Sequence, residues 1–148
     1  MVLVDEFLAI RVISGSRPAG LGVGPVRLTY GRTYRLTRAL STSGAGRLQV
    51  RGRFTRLVEA LGDADRRVLD EWLANPDPSV LSIIDPRAFI RMAAALQNTY
   101  AISLLQAETL AAAAGQEAPI RFGDPDSAPA PVQRAVRELG LDLAILTG

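Results

Sequence analysis

The chain has 148 residues, of which 48% are apolar and 22% charged; these are ordinary globular values, and they exclude wholesale disorder. Cys and His are both absent, which removes disulfides, thiolate nucleophiles and cysteine metal sites together with the commonest general base and metal ligand. All seventeen basic residues are Arg and the net charge is +2, so lysine chemistry, from the Schiff base to the phosphate-loop lysine, is impossible.

The small net charge hides a split. Residues 1–56 set ten Arg against Asp5 and Glu6, leaving +8, whereas residues 57–148 set seven Arg against thirteen acids, leaving −6. Such polarity suits a basic surface for an anionic partner, or head-to-tail docking between copies. The opening MVLVDEFLAIRVI has no positive leader and carries Asp5 and Glu6, so no export signal is read. No window reaches about 18 uninterrupted apolar residues, and no membrane span is expected. The expected location is the cytoplasm or an assembled particle.

In chain order, residues 7–13 (FLAIRVI) are rich in branched and aromatic side chains and end at the turn-like SGSRPAGLGVGP, which predicts a strand and a loop. The glycines at 20, 22 and 24 lack dinucleotide-loop spacing and run into Pro25 and a strand rather than opening a helix. PVRLTYGRTYRLT, residues 25–37, then alternates: Val26, Leu28, Tyr30, Tyr34 and Leu36 against Arg27, Thr29, Thr33, Arg35 and Thr37. A two-residue turn at Gly31 would mix the faces. A three-residue loop would force Thr33 into a left-handed conformation. One long strand bent at Gly31 keeps every parity, with Arg32 as its only exception. Residues 47–54, RLQVRGRF, repeat the alternation, so residues 1–54 read as a small antiparallel sheet or barrel-like lobe with one basic face.

From Thr55 the period becomes helical. Asp63 is placed to cap a helix running to about Ala74, which NPDP stops. After VLSII, Asp85 and Pro86 open what reads as one long, largely apolar helix over residues 86–115. Its stripe of Phe89, Met92, Leu96, Tyr100 and Leu104 is the predicted helix interface, because a helix apolar around most of its girth must be covered. Residues 55–120 are thus a helical part. Residues 121–148 follow as a linker, a short helix from Pro131 to Leu139, and an apolar strand in which Leu141, Leu143 and Ile145 are the predicted tail interface. That strand completes either its own sheet or a neighbour's. The fold class is α+β, one compact domain with a tail.

The chemistry is sparse. Asp63 with Asp65, Asp70 with Glu71, and Asp124 with Asp126 read as a cap, a solvated helix side and turn formers. The serines have neither a His partner nor a nucleophile elbow. No catalytic, cofactor or metal residue is assigned, and no enzyme activity is expected. The basic face, Arg27, Arg35, Arg47, Arg51 and Arg53, is the strongest binding candidate. In the strand register Tyr30 and Tyr34 turn away from these arginines, which leaves the face without stacking partners and ranks nucleic acid below a protein partner. The function expected from sequence is a non-enzymatic structural or assembly subunit, as a homo-oligomer or in a hetero-complex, of the phage head, neck or tail type. The alternatives are an Arg-mediated nucleic-acid-binding protein and a small carboxylate-dependent enzyme.

Overall fold

The computed structural model describes residues 1–41 and 52–147. Its centre is a five-stranded sheet in which every pairing is parallel, in the spatial order β3-β2-β1-β4-β5. The strands are β1 (Val2–Val4), β2 (Val26–Thr29), β3 (Ser82–Ile84), β4 (Ile120–Phe122) and β5 (Leu143–Ile145). This overturns the antiparallel N-terminal lobe. One sheet draws its strands from all three stretches into which the sequence was divided.

Three misread segments account for the difference. Residues 7–13 belong to helix α1 (Glu6–Ile13), started by Asp5, whose carboxylate accepts the Leu8 N–H at 3.0 Å. The expected bent strand is β2 followed directly by helix α2 (Tyr30–Ser41). Side chains four apart satisfy an alternating and a helical pattern alike, and this is why Tyr30 with Tyr34, and Arg32 with Leu36, kept strand parity. The threonines fit the helix as well: Thr33 Oγ1 donates to the Thr29 carbonyl and Thr37 Oγ1 to that of Thr33. Of the second expected strand, Arg47 and Arg51 lie outside the described residues, while Arg53 and Phe54 begin helix α3 (Arg53–Glu59).

The long helix is likewise divided. A 3-10 turn at Pro86–Phe89 leads into α5 (Ile90–Thr99), the chain extends at Tyr100, and α6 (Leu104–Gln116) starts afresh. Ser103 and Gln106 form a reciprocal capping box that specifies the new start. Gly115 therefore lies inside α6, and Glu117 closes it in the left-handed conformation. Helix α4 (Asp63–Ala74) occupies its expected stretch, although Gly62 rather than Asp63 is its N-cap. Helix α7 (Ala130–Leu139) ends at a left-handed Gly140.

Strand alternation sorts the core into two layers. Val2, Val4, Val26 and Leu28 face one cluster with Leu8, Leu36, Phe54, Val58, Leu69 and Trp72, from α1 to α4. Leu3, Ile84, Ile120 and Phe122 face a second cluster, made with α5, α6 and α7. A parallel sheet covered on both faces needs apolar strands, and β1 is buried at every residue. The connections β1 to β2 to β3 carry α1 to α4, and those from β3 to β4 to β5 carry α5 to α7. Between β1 and β4 the chain's direction of travel reverses. Segments leaving their carboxyl ends diverge, and a crevice opens there.

Candidate functional site

A cleft of about 290 Å³ lies at this carboxyl edge. Two larger or equal hollows, of about 300 and 490 Å³, gather no comparable set of charges: one is bounded mainly by apolar side chains of α1 and α3, the other by the ends of α6 and α7.

Asp5 follows β1 and organises the crevice. One carboxylate, fully buried, accepts the backbone N–H groups of Leu8, Gly123 and Asp124 and, at 2.7 Å, the hydroxyl of Ser127. It thereby ties the end of β1 to the end of β4. Burial raises the Asp5 pKa above its ordinary value, opposed by those hydrogen bonds and by the nearby Arg32 charge. Gly123 is required by close approach, since an added Cβ would meet Phe7 Cβ at 3.1 Å.

Glu6, also fully buried, takes two arginines of α2: Arg32 Nη1 at 2.7 Å and Arg35 Nη1 at 3.0 Å. Arg32 is 2% exposed; its Nε donates to Thr109 Oγ1 on α6 at 2.8 Å, and its guanidinium lies 4.9 Å from the centre of the Phe122 ring. Arg35 is half exposed and sits 5.3 Å from the Phe54 ring centre. On the far wall Arg53 Nη1 lies 3.2 Å from both Asp124 and Asp126, of which Asp124 is buried and Asp126 exposed. Asp124 also caps the 3-10 turn Pro125–Ser127. Every carboxylate of the cleft thus has at least one partner. None of the described residues forms a cluster of His, Cys, Asp or Glu able to hold a metal ion.

The sequence-predicted basic face is not a sheet face. Arg35 and Arg53 come together across the cleft from two helices, Arg27 stays on β2 outside it, and Arg47 and Arg51 lie outside the described residues. Tyr30 and Tyr34, expected to turn inward, are 57% and 59% exposed and stand one helical turn apart on the outside of α2, the side that also carries Arg38. The helix therefore exposes two rings that the strand register would have turned inward, although neither lines the cleft. Of the predicted helix interface, Leu96 and Tyr100 are buried, Phe89 packs on the second core cluster, and Met92 and Leu104 are exposed. Leu141, Leu143 and Ile145 pack on that same cluster, and β5 pairs with β4 of its own chain.

Asp5, Glu6, Arg32 and Asp124 were not singled out as a constellation from sequence. The available signals were an acid directly after the short apolar run VLV, another acid one residue beyond IRF, and a lone Arg on an otherwise apolar parity.

No protein-family model matches the chain, and no curated protein matches it in sequence. Solved structures do. A chain of a toxin–antitoxin complex from Klebsiella pneumoniae is 17% identical, with 89% of this chain and 94% of that one covered and a TM-score of 0.50. A chain of FitAB bound to an IR36 DNA fragment is 12% identical, with 98% and 94% covered and a TM-score of 0.52. At these identities what is shared is the fold. The expectation of a phage-type structural or virion subunit is overturned: these two neighbours are chains of a toxin–antitoxin complex and of a DNA-bound FitAB complex, not particle components. Among the described residues no helix is long and apolar enough to cross a membrane.

Proposed function

We propose that this chain is one protein of a toxin–antitoxin-type pair, and that it binds single-stranded nucleic acid along α2 and the carboxyl-edge cleft. The observation that carries the reading is the exposure of Tyr30 and Tyr34, one turn apart on the outside of α2, the helix whose Arg35 reaches into the cleft, since exposed aromatic faces and guanidinium groups on one element are what a flexible, unstacked strand requires. The likeness to chains of a toxin–antitoxin complex and of a DNA-bound FitAB assembly supports the pair.

The proposed role is binding without a catalytic step. Support comes from the carboxylates: Asp5 is occupied by four donors, Glu6 by two arginines and Asp124 by Arg53 and the Asp126 N–H. A general base needs a lone pair within reach of substrate, and these are engaged by the protein itself.

The test is fluorescence anisotropy with labelled single-stranded RNA and DNA across a salt series. Tyr30→Ala and Tyr34→Ala should each lose about 1–3 kcal/mol of affinity. Arg35→Ala should flatten the dependence of log K on log salt by about 0.7. Absence of salt-dependent binding to either strand would reject the nucleic-acid reading. Purification of the tagged chain from its own cells, followed by light scattering, tests the pair; a chain recovered without a stoichiometric protein partner would reject it.

A further inference from the structure

Arg32 is the feature that the binding reading does not exhaust. Its Nε and Nη1 are committed to Thr109 and Glu6, but Nη2 is buried and has no partner. A buried guanidinium N–H left without an acceptor is costly, and such groups call for a ligand, water or ion. The side chain is also fixed, by the Glu6 pair, by Thr109 and by the Phe122 ring, so it contributes a donor whose ordering cost is already met.

Around it the same cleft collects further positive groups. Arg35 uses only Nη1 on Glu6 and is 46% exposed; Arg53 uses only Nη1 on its two aspartates and is 58% exposed. The N-terminus of α6, a helix of 13 residues, reaches the cleft through Ser103 and Gln106, neutral caps that leave its positive end without an acid. Asp5, Glu6 and Asp124 are buried behind their partners. The charges that an incoming group meets are therefore two half-exposed guanidiniums and Asp126.

We infer that this cleft is a phosphate-monoester site, formed by Arg35 and Arg53 with the unpartnered Arg32 Nη2 behind them, which takes the terminal phosphate of a strand or of a free nucleotide. A monoester presents three terminal oxygens and close to two negative charges, whereas an internal diester presents two oxygens and one charge. Three guanidiniums at one cleft match the former. About 290 Å³ is at the lower end of the space that small-molecule sites occupy, enough for an end group. The inference rests on the nucleic-acid reading only for the source of the phosphate.

The experiment uses the full chain and three labelled oligonucleotides of one sequence, ending in a 5′-phosphate, a 3′-phosphate or hydroxyls only, with inorganic phosphate and a nucleoside monophosphate as competitors. One phosphorylated oligonucleotide should bind about tenfold tighter than the hydroxyl form, and both competitors should erase that difference. Arg35→Gln and Arg53→Gln should erase it too, and urea midpoints measured beside binding show that each variant stays folded, since each Gln removes a charge partner of a buried carboxylate but keeps an N–H donor. Equal affinity for all three oligonucleotides would overturn the monoester site while leaving nucleic-acid binding intact. Binding of the free monophosphate, lost in both Gln variants, without binding of any strand would keep the site and remove the nucleic-acid reading. A difference that survives both Gln variants would also overturn the assignment.

Discussion

The backbone N–H of Gly31 donates to Glu108 Oε1 at 2.7 Å, joining the first turn of α2 to the middle of α6 across the edge of the sheet. A side chain at position 31 would have to push Leu105 and Glu108 aside, since an added Cβ would lie 2.8 Å from Leu105 Cδ2 and 3.1 Å from Glu108 Oε1. Gly31→Ala should therefore destabilise the fold by about 1 kcal/mol, the cost of displacing Leu105 and the Glu108 carboxylate being partly offset by the better helix propensity of Ala. Urea unfolding checks this. Glu108→Ala should also destabilise, because the Gly31 N–H loses its acceptor, and Glu108→Gln, which retains an acceptor oxygen, should cost less.

The Glu6–Arg32 pair makes a sharper prediction. Both groups are almost wholly buried, so the attraction between them is set against a large desolvation cost. Removing Glu6 leaves Arg32 charged in the interior, and Glu6→Ala should lose about 3–5 kcal/mol. The double variant Glu6→Leu with Arg32→Met should recover much of that loss, since two apolar groups fill the space without an unpaired charge. Urea midpoints of the two single variants and the double variant decide it. Additive losses would show that the pair is not the coupled unit its geometry describes.

Two carboxylates should respond to pH with opposite signs. Burial raises the Asp5 pKa, so the folded state favours its protonated form. Its contribution is fully present below the ordinary value of 3.8 and is lost as pH rises through the raised folded value. The stability of the native chain relative to Asp5→Asn should accordingly improve as pH falls through that window. Asp142 is held below 3.8 by hydrogen bonds from Arg121, so its contribution is present above 3.8 and is lost as pH falls through the lower folded value. Because Asp142 is 67% exposed, the effect of Asp142→Asn should stay below about 1 kcal/mol. Urea unfolding of the three proteins from pH 7 to pH 3 separates the two trends.

What was legible in the sequence depended on whether a pattern had one structural solution. Gly140 closed its helix as read, and Asp85-Pro86 opened a helical segment, though a 3-10 turn rather than the long α-helix expected, because a first-turn proline and a left-handed glycine have few alternatives. Residues 25–37 had two solutions, and a spacing of four obeys both periods; the helical one is accompanied by the i,i+4 bonds of Thr33 and Thr37 and by the tertiary bond from Gly31 to Glu108. The division of residues 86–115 was written in Ser103 and Gln106 as a capping box, a signal overshadowed by continuous apolar composition. The cleft was least legible. Its charged lining comes from positions 32, 35, 53, 124 and 126, with Asp5 and Glu6 behind it, and nothing local links them until a parallel sheet brings the ends of β1 and β4 together.

The C-terminal segment tests the sheet itself. β5 pairs with β4 through Ile120 with Leu143 and Phe122 with Ile145, the Ile120 N–H donates to the Asp142 carbonyl at 2.7 Å, and the Leu146 N–H to that of Phe122 at 2.7 Å. Leu146 reaches the opposite layer, where its side chain fills the space over Gly20. A chain ending at Gly140 would lose these bonds, worth about 0.5–1.5 kcal/mol each, together with the burial of Leu143 and Ile145. It would also expose the edge of β4, a buried strand with unpaired N–H and C=O groups and apolar neighbours. The truncated chain should unfold at markedly lower urea and show a higher mass by light scattering than the full chain at equal concentration. An unchanged midpoint and mass would mean that β5 contributes nothing to the sheet whose edge it forms.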